Sequence, residues 1–255
     1  MKSFELERLQ RYDGLPNSMD VLKSLALIIS VVDHVGLYFF QDDPEFAIIG
    51  RFAAPVFFFI AGFSPNLRVR PSIWWYGLIL TGFVYYLEGY GFYLNILLSI
   101  GFCKLVLQYY AIEKQGYLSI IAIFGVLLVA HPWLEPSIEY GTAGIAYALC
   151  GALLFRQAHS NFMPVLLLAT LMVHFSNYFF RYDVLYQQIM LITVMTILAL
   201  GLPYLRYQTF RLPAVFSYSV MYMGRYTLQL YACHVLLFSM LFQFNKLGWL
   251  GSWGW

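Results

Sequence analysis

Charge is scarce in this sequence: only 11% of its 255 residues are Asp, Glu, Lys or Arg, against roughly a quarter in ordinary soluble domains. Polar runs long enough to clothe a water-facing surface are missing too, while 61% of the chain is hydrophobic and 20% aromatic, with a mean hydropathy of +0.68. These two shortages exclude a soluble globular domain and a disordered chain. A net charge of +2 leaves no electrostatic footprint for nucleic acid. The three cysteines, Cys103, Cys150 and Cys233, form no CxxC and sit in apolar runs, which excludes a disulfide framework and a cysteine metal centre and reads as small core residues. No cleavable signal peptide is legible, because the first 20 residues are polar and the first apolar run begins at Val21. GxSxG, HExxH and P-loop motifs are all lacking. No His, Cys, Asp or Glu pair recurs at i, i+3 or i+4 within an apolar run, so no metal is expected.

What is present is a succession of apolar runs. A membrane-crossing helix takes about 20 such residues, and nine runs come near that length: roughly 21–40, 46–66, 72–87, 92–111, 117–132, 140–155, 162–180, 184–203 and 214–244. The expected fold is all-α, a polytopic membrane helical bundle of about nine transmembrane helices. Residues 1–19 form a cytoplasmic amphipathic lead-in, and residues 20–255 a single transmembrane domain. Connections carrying Lys2, Arg8, Arg11, Lys23, Arg68, Arg70, Lys114, Arg156, Arg206 and Arg211 alternate with ones carrying Asp42, Asp43, Glu45, Glu88, Glu135, Glu139 and Asp183, where only Arg181 and Lys246 are basic exceptions. The positive-inside rule makes the first set, and the N-terminus, cytoplasmic. The last run is too long for one untilted span, so its true span is expected to start near Arg225 after an interfacial or re-entrant stretch. Gly141, Gly144, Ala148, Gly151 and Ala152 in the sixth run predict close helix packing.

Ionisable groups inside a bilayer are costly and mark function by default. The first run holds Asp33-His34-Val35-Gly36 and the second opens Ile49-Gly50-Arg51. At 1.5 Å per residue, His34 lies about 10 Å and Arg51 about 9 Å below the outer face. A short connection makes these two helices antiparallel neighbours, so Asp33, His34 and Arg51 share one level. Asn95, His174 and Asn177 fall near it, His234 lies deeper, and Arg225 is near the inner end of the last span. Each has a plain structural alternative. Asp33 and Arg51 are either a buried ion pair or part of a site. His34, His174 and His234 are either hydrogen-bonded core groups or reactive ones. His131 and His159, at run ends where water reaches them, are assigned nothing. Lys104 reads as snorkelling towards the inner face.

Five stretches together resemble a known family: Leu22-Lys23-Ser24-Leu25-Ala26-Leu27, Asp33-His34-Val35-Gly36, Ile49-Gly50-Arg51-Phe52-Ala53-Ala54-Pro55-Val56-Phe57, Leu94-Asn95-Ile96-Leu97-Leu98-Ser99 and Tyr231-Ala232-Cys233-His234. The sequence is similar to the TraX family, whose namesake acetylates the N-terminus of conjugative pilin. More loosely it resembles the integral-membrane acyltransferases that carry acetyl groups from cytosolic acetyl-CoA to extracytoplasmic acceptors. The likeness is dense over residues 20–62 and thinner around 93–101 and 224–238.

The resemblance implies a multi-pass protein of a bacterial inner membrane that moves an acyl group, most simply acetyl, from acyl-CoA to an amine or hydroxyl. The acceptor is a peptide N-terminus or a glycan or lipid-linked group. His34 is then the general base and Arg51 the group that stabilises the thioester oxyanion, with Asn95 as a second donor. Asp33 holds Arg51 or the imidazolium, His234 is a second acid/base or acceptor-binding group, and His174 lines the acceptor side. Arg68, Arg70, Arg156, Arg206, Arg211 and Arg225 offer phosphate contacts to CoA. Two other classes use the same residues: a proton-coupled small-molecule transporter, and a non-catalytic membrane assembly factor.

Overall fold

A computed structural model describes residues 15–40, 43–88, 94–110, 114–158, 161–182 and 184–246. Most of the expected lead-in, His159, and the C-terminal Trp249, Trp253 and Trp255 lie outside them, as does the Asn177 side chain. The described residues are helical apart from connections and two isolated bridges, Asn17 with Thr209 and Leu94 with Ile138.

Helix α1 (Ser18–Phe39) starts where Asn17 accepts the backbone N–H groups of Met19 and Asp20, while the Asp20 carboxylate accepts the Asn17 N–H. This reciprocal cap satisfies donors that a helix start leaves open. The second apolar run is expected as one span but divides into α2 (Pro44–Gly50) and α3 (Ala53–Gly62). Pro55 has no N–H to offer the carbonyl of Arg51, four residues earlier, so the helical ladder is interrupted there. α4 (Pro71–Glu88), α5 (Ile96–Tyr109), α6 (Tyr117–Leu134), α7 (Ala143–Phe155), α8 (Met163–Phe179) and α9 (Leu185–Gly201) follow. The last run is two helices, α10 (Ala214–Arg225) and α11 (Thr227–Lys246), parted at Tyr226. Among the described residues, five segments are long and apolar enough to cross a membrane: Ser18–Phe39, Pro44–Gly62, Tyr117–Leu134, Leu185–Tyr204 and Thr227–Lys246. Ile96–Tyr109, Ala143–Phe155 and Met163–Ser176 are apolar but shorter.

The centre of the bundle is the crossing of α3 and α7. α7 is enclosed by α3, α5, α6 and α8, and Ala146, Tyr147, Ala148, Cys150, Ala152 and Leu153 are all fully buried. The small residues of this run do pack helices: a Cβ on Gly151 would stand 2.0 Å from the carbonyl oxygen of Phe59. Cys103 and Cys150 are buried as expected, whereas Cys233 is exposed on α11. α1 packs on α2, α3, α10 and α11, so the first and last helices are neighbours. The connection from α9 to α10 crosses the start of α1, with Ser18 N–H on the Gln208 carbonyl (2.8 Å) and Phe210 N–H on the Pro16 carbonyl (2.9 Å).

At the other end, the α6–α7 connection closes the start of α5. Glu139 N–H donates to the Leu94 carbonyl (2.9 Å), and the Glu139 carboxylate accepts the Ile96 N–H. Burial pushes the Glu139 carboxyl up to about 7; Asp33 adds to the rise, while the Ile96 N–H and Arg51 oppose it.

Two outcomes follow from this packing. Gly151→Ala should destabilise by about 1–3 kcal/mol, the usual cost of overpacking, and lower the thermal midpoint. Gly125→Ala, where a Cβ meets nothing within 4 Å, should not lower it. For Glu139, the folded chain retains a proton that the unfolded chain gives up, so stability must fall as pH rises between about 4.5 and about 7 and level off above. The thermal midpoint of the wild type minus that of Glu139→Gln, measured across this window, should decline with pH; a flat difference would remove the buried carboxyl from the account.

Candidate functional site

His34 and His234 meet across the α1–α11 contact, with His34 Nδ1 and His234 Nε2 2.8 Å apart. The other His234 nitrogen, Nδ1, lies 3.1 Å from the Leu230 carbonyl, which can only accept. For a neutral pair this fixes every proton. His234 Nδ1 donates to Leu230, His234 Nε2 accepts from His34 Nδ1, and His34 Nε2 is left as a proton-free lone pair. His34 is thus held in one tautomer by a second histidine, the arrangement a general base requires. One turn further on, the hydroxyls of Tyr38 and Ser239 are 2.7 Å apart and extend the same polar seam.

Asp33 faces the adjoining helix. Its carboxyl rests on Gly50, where a Cβ would come within 2.1 Å of Asp33 Oδ1, so only glycine admits it. Arg51 follows at the α2–α3 break, with its guanidinium carbon 4.1 Å from the centre of the Tyr178 ring. Asp33 and Arg51 interact electrostatically, yet among the described residues they form no direct ion pair. Arg51 Nε is buried without a hydrogen-bond partner. Tyr140, Tyr178, Glu139 and His174 complete the surroundings of Arg51.

His174 is buried, 3.1 Å from the Tyr147 hydroxyl and ringed by Tyr140 and Tyr178. His131, expected to be satisfied by water at a helix end, is instead 1% exposed beside His174, with neither ring nitrogen partnered. The amide of Asn95 is committed to structure. Its Oδ1 caps the Leu97 and Leu98 N–H groups, and its Nδ2 donates to the Gly77 carbonyl and Thr81 hydroxyl.

A cleft of about 990 Å³ opens at the basic end of the bundle. It is assembled from the start of α1, the α3–α4 connection, α5 and the α10–α11 break. Its mouth carries Lys23, Arg68, Arg70, Lys104 and Arg225 against one carboxylate, Asp20. Its walls then become apolar (Phe57, Ile60, Ile96, Leu97, Ile100), and it ends on Tyr231. The Tyr231 ring packs edge-on against His34 (5.8 Å) and His234 (5.2 Å). Neither histidine lines the cleft; Tyr231 stands between. A smaller recess of about 260 Å³ shares Arg68 and also holds Arg156, Gln108 and Tyr110.

Of the arginines expected to face phosphate, Arg68, Arg70 and Arg225 therefore line the cleft and Arg156 the side recess. Arg206 and Arg211 are exposed on the α9–α10 connection and line neither. Sequence reasoning gave no site role to Lys23, Lys104, Tyr231 or Glu139. Two signals were there: a lysine in each of two apolar helices, and a tyrosine three residues before His234, hence on its face. Among the described residues no cluster of three or more His, Cys, Asp or Glu is placed to hold a metal ion.

Comparison with known proteins identifies the family. A family model described as TraX protein matches residues 18–242. Protein TraX of Escherichia coli is 31% identical over 148 residues, covering 55% of this chain and 58% of that protein. Uncharacterized protein RP591 of Rickettsia prowazekii (strain Madrid E) is 32% identical over 140 residues, covering 53% and 55%. The matched stretches thus span a little over half the length of these relatives. No solved structure matches. A family match running from the first residue of α1 into α11 makes the conclusion plain: the chain is a membrane protein of the TraX family.

Proposed function

We propose that this protein is a membrane-embedded acyltransferase that moves an acetyl group from acetyl-CoA to an amine or hydroxyl acceptor. The observation that carries the reading is the cleft: cationic at its mouth, walled in part by apolar side chains, and closed by Tyr231, which packs on both His34 and His234. The described residues of its lining carry a net of four positive charges. A CoA molecule brings about four negative charges, since a phosphate monoester alone carries close to two at neutral pH. An apolar passage suits a pantetheine arm, which has no charge to desolvate. The nine apolar runs are then nine spans with the N-terminus cytoplasmic, the cleft opens to the cytoplasm of a bacterial inner membrane, and the acidic end faces out.

In this reading the thioester carbonyl comes to rest at Tyr231. His34 Nε2 takes the proton of the acceptor as its nitrogen or oxygen bonds to the carbonyl carbon. Arg51, which has a buried donor to spare, stabilises the oxyanion. Collapse breaks the C–S bond, and the proton on His34 passes to the departing thiolate, releasing free CoA. His234 and the Leu230 carbonyl hold the imidazole through both steps. Asp33 keeps Arg51 charged and in place. Glu139, Tyr140 and His174 form the wall on the acceptor side.

The test is turnover of acetyl-CoA by detergent-purified protein, read as release of free thiol in the presence of an amine acceptor. His34→Ala should lower turnover by about a hundredfold or more, the scale of general base catalysis, while acetyl-CoA still binds in calorimetry. Near-normal turnover in this variant, or no acetyl-CoA binding by folded wild type, overturns the reading. Arg51→Lys loses the planar fork and should lower kcat by about a hundredfold with little change in KM for acetyl-CoA. An unchanged rate with a lowered thermal midpoint would make Arg51 a structural partner of Tyr178 instead.

A further inference from the structure

Two lysines of the cleft come from inside apolar helices and not from connections. Lys23 is on the second turn of α1 and Lys104 is on α5. Both line the cleft together with Arg70, at the start of α4. Each is coupled electrostatically to the others: Lys23 to Arg70, and Lys104 to both Lys23 and Arg70. Both lysines are half-buried, so water does little to separate like charges. The neighbouring acid, Asp20, already accepts the Asn17 N–H in the cap of α1. Asp20 interacts with Lys23 and with Arg225, and Lys104 interacts with Lys23 and Arg70 alone; three cations against that one carboxylate leave a surplus of positive charge, and the described residues lining the cleft include no second acid.

From this convergence in one cavity we infer that Lys23, Lys104 and Arg70 form a diphosphate-binding subsite. A diphosphate diester carries two negative charges and presents non-bridging oxygens on both phosphorus atoms, so it can engage two ammonium groups and a guanidinium at once. A single carboxylate or monoester is shorter and would leave one cation without a partner. The position fits as well. Lys23 and His34 are eleven residues apart on α1, about 16 Å along its axis, so the subsite and the histidine pair are separated by the kind of span a pantetheine arm bridges. The inference deepens the acyl-CoA reading and rests on it for that last point alone; the anion site itself stands on the charges and the cavity. A lipid-linked diphosphate presents the same group, and the two sources differ in what is attached.

The experiment is calorimetric titration of the full chain in detergent with inorganic pyrophosphate, followed by competition with ADP, CoA and a short-chain polyprenyl diphosphate. Saturable binding of pyrophosphate is expected, weakened at least tenfold in Lys23→Gln and in Lys104→Gln. It should be unchanged in Lys114→Gln, an exposed lysine outside the cleft. Lys104→Arg, which keeps the charge, should retain binding and guards against loss through misfolding. No pyrophosphate binding by the wild type, or equal binding by the glutamine variants, overturns the subsite. Displacement by ADP and CoA identifies a nucleotide source, and displacement by the polyprenyl diphosphate alone identifies a lipid one. If pyrophosphate binds but CoA never displaces it, the acyl-CoA reading falls while the subsite stands. If CoA binds equally to wild type and the lysine variants, the reverse holds.

Discussion

The hydrogen bond between His34 and His234 joins the first helix to the last, and much else in the bundle follows from the need to make it. An imidazole without partners inside an apolar bundle carries a desolvation penalty that only a hydrogen bond offsets. Two histidines on neighbouring helices satisfy each other only if α1 and α11 lie side by side at one register. That register is held at two heights, by the histidine pair and by Tyr38 with Ser239, and the Ser24 hydroxyl on the Val220 carbonyl fastens α1 to α10 as well. Because the chain of donors ends on the Leu230 carbonyl, its direction is fixed. The seam is both a fastening and a means of holding one nitrogen free of its proton.

Two of the arginines that stand out in the sequence sit at interruptions in the helices. Arg51 sits at the break between α2 and α3, imposed by Pro55, and Arg225 ends α10 just before the break at Tyr226. A continuous helix would carry each side chain at a height set by the 3.6-residue repeat alone. The break lets Arg51 turn onto the face of Tyr178, so that an aromatic ring offsets part of its lost hydration. The same break brings Gly50 against Asp33, and the missing side chain is what lets carboxylate and guanidinium share one neighbourhood without touching.

The sequence made the class of fold legible because hydropathy is a sum over many residues. It showed the helical runs, the break near Arg225 and the small-residue packing of α7 for the same reason. His34, Asp33, Arg51 and His234 stood out because each is polar in an apolar run. The pairing of His34 with His234 was not legible: they are 200 positions apart, and only tertiary packing decides which faces meet. Nor could the sequence show that Asn95 is consumed as a cap, that the carboxylate of Glu139 folds back onto α5, or that His131 is sealed by the loop that follows it. Helix ends look alike whether water or protein covers them. Arg206 and Arg211 matched the rule for basic connections and yet lie outside the cleft. A charge count locates a side of the membrane, not a position on it.

Tyr231 is the residue on which the proposed chemistry turns, because it belongs to three environments at once. Its ring closes the apolar end of the cleft, touches both histidines, and interacts with Asp33, Glu139 and Tyr140 on the far side. A thioester at the end of the cleft is therefore within one side chain of the base but not exposed to it. For a transferase this matters, since water competes with any acceptor for an activated acyl group. Closing a reaction chamber strengthens its electrostatics and excludes hydrolysis together. A tyrosine can serve as that partition where phenylalanine would serve less well: its hydroxyl gives it a polar side facing the carboxylates and an apolar side facing the donor.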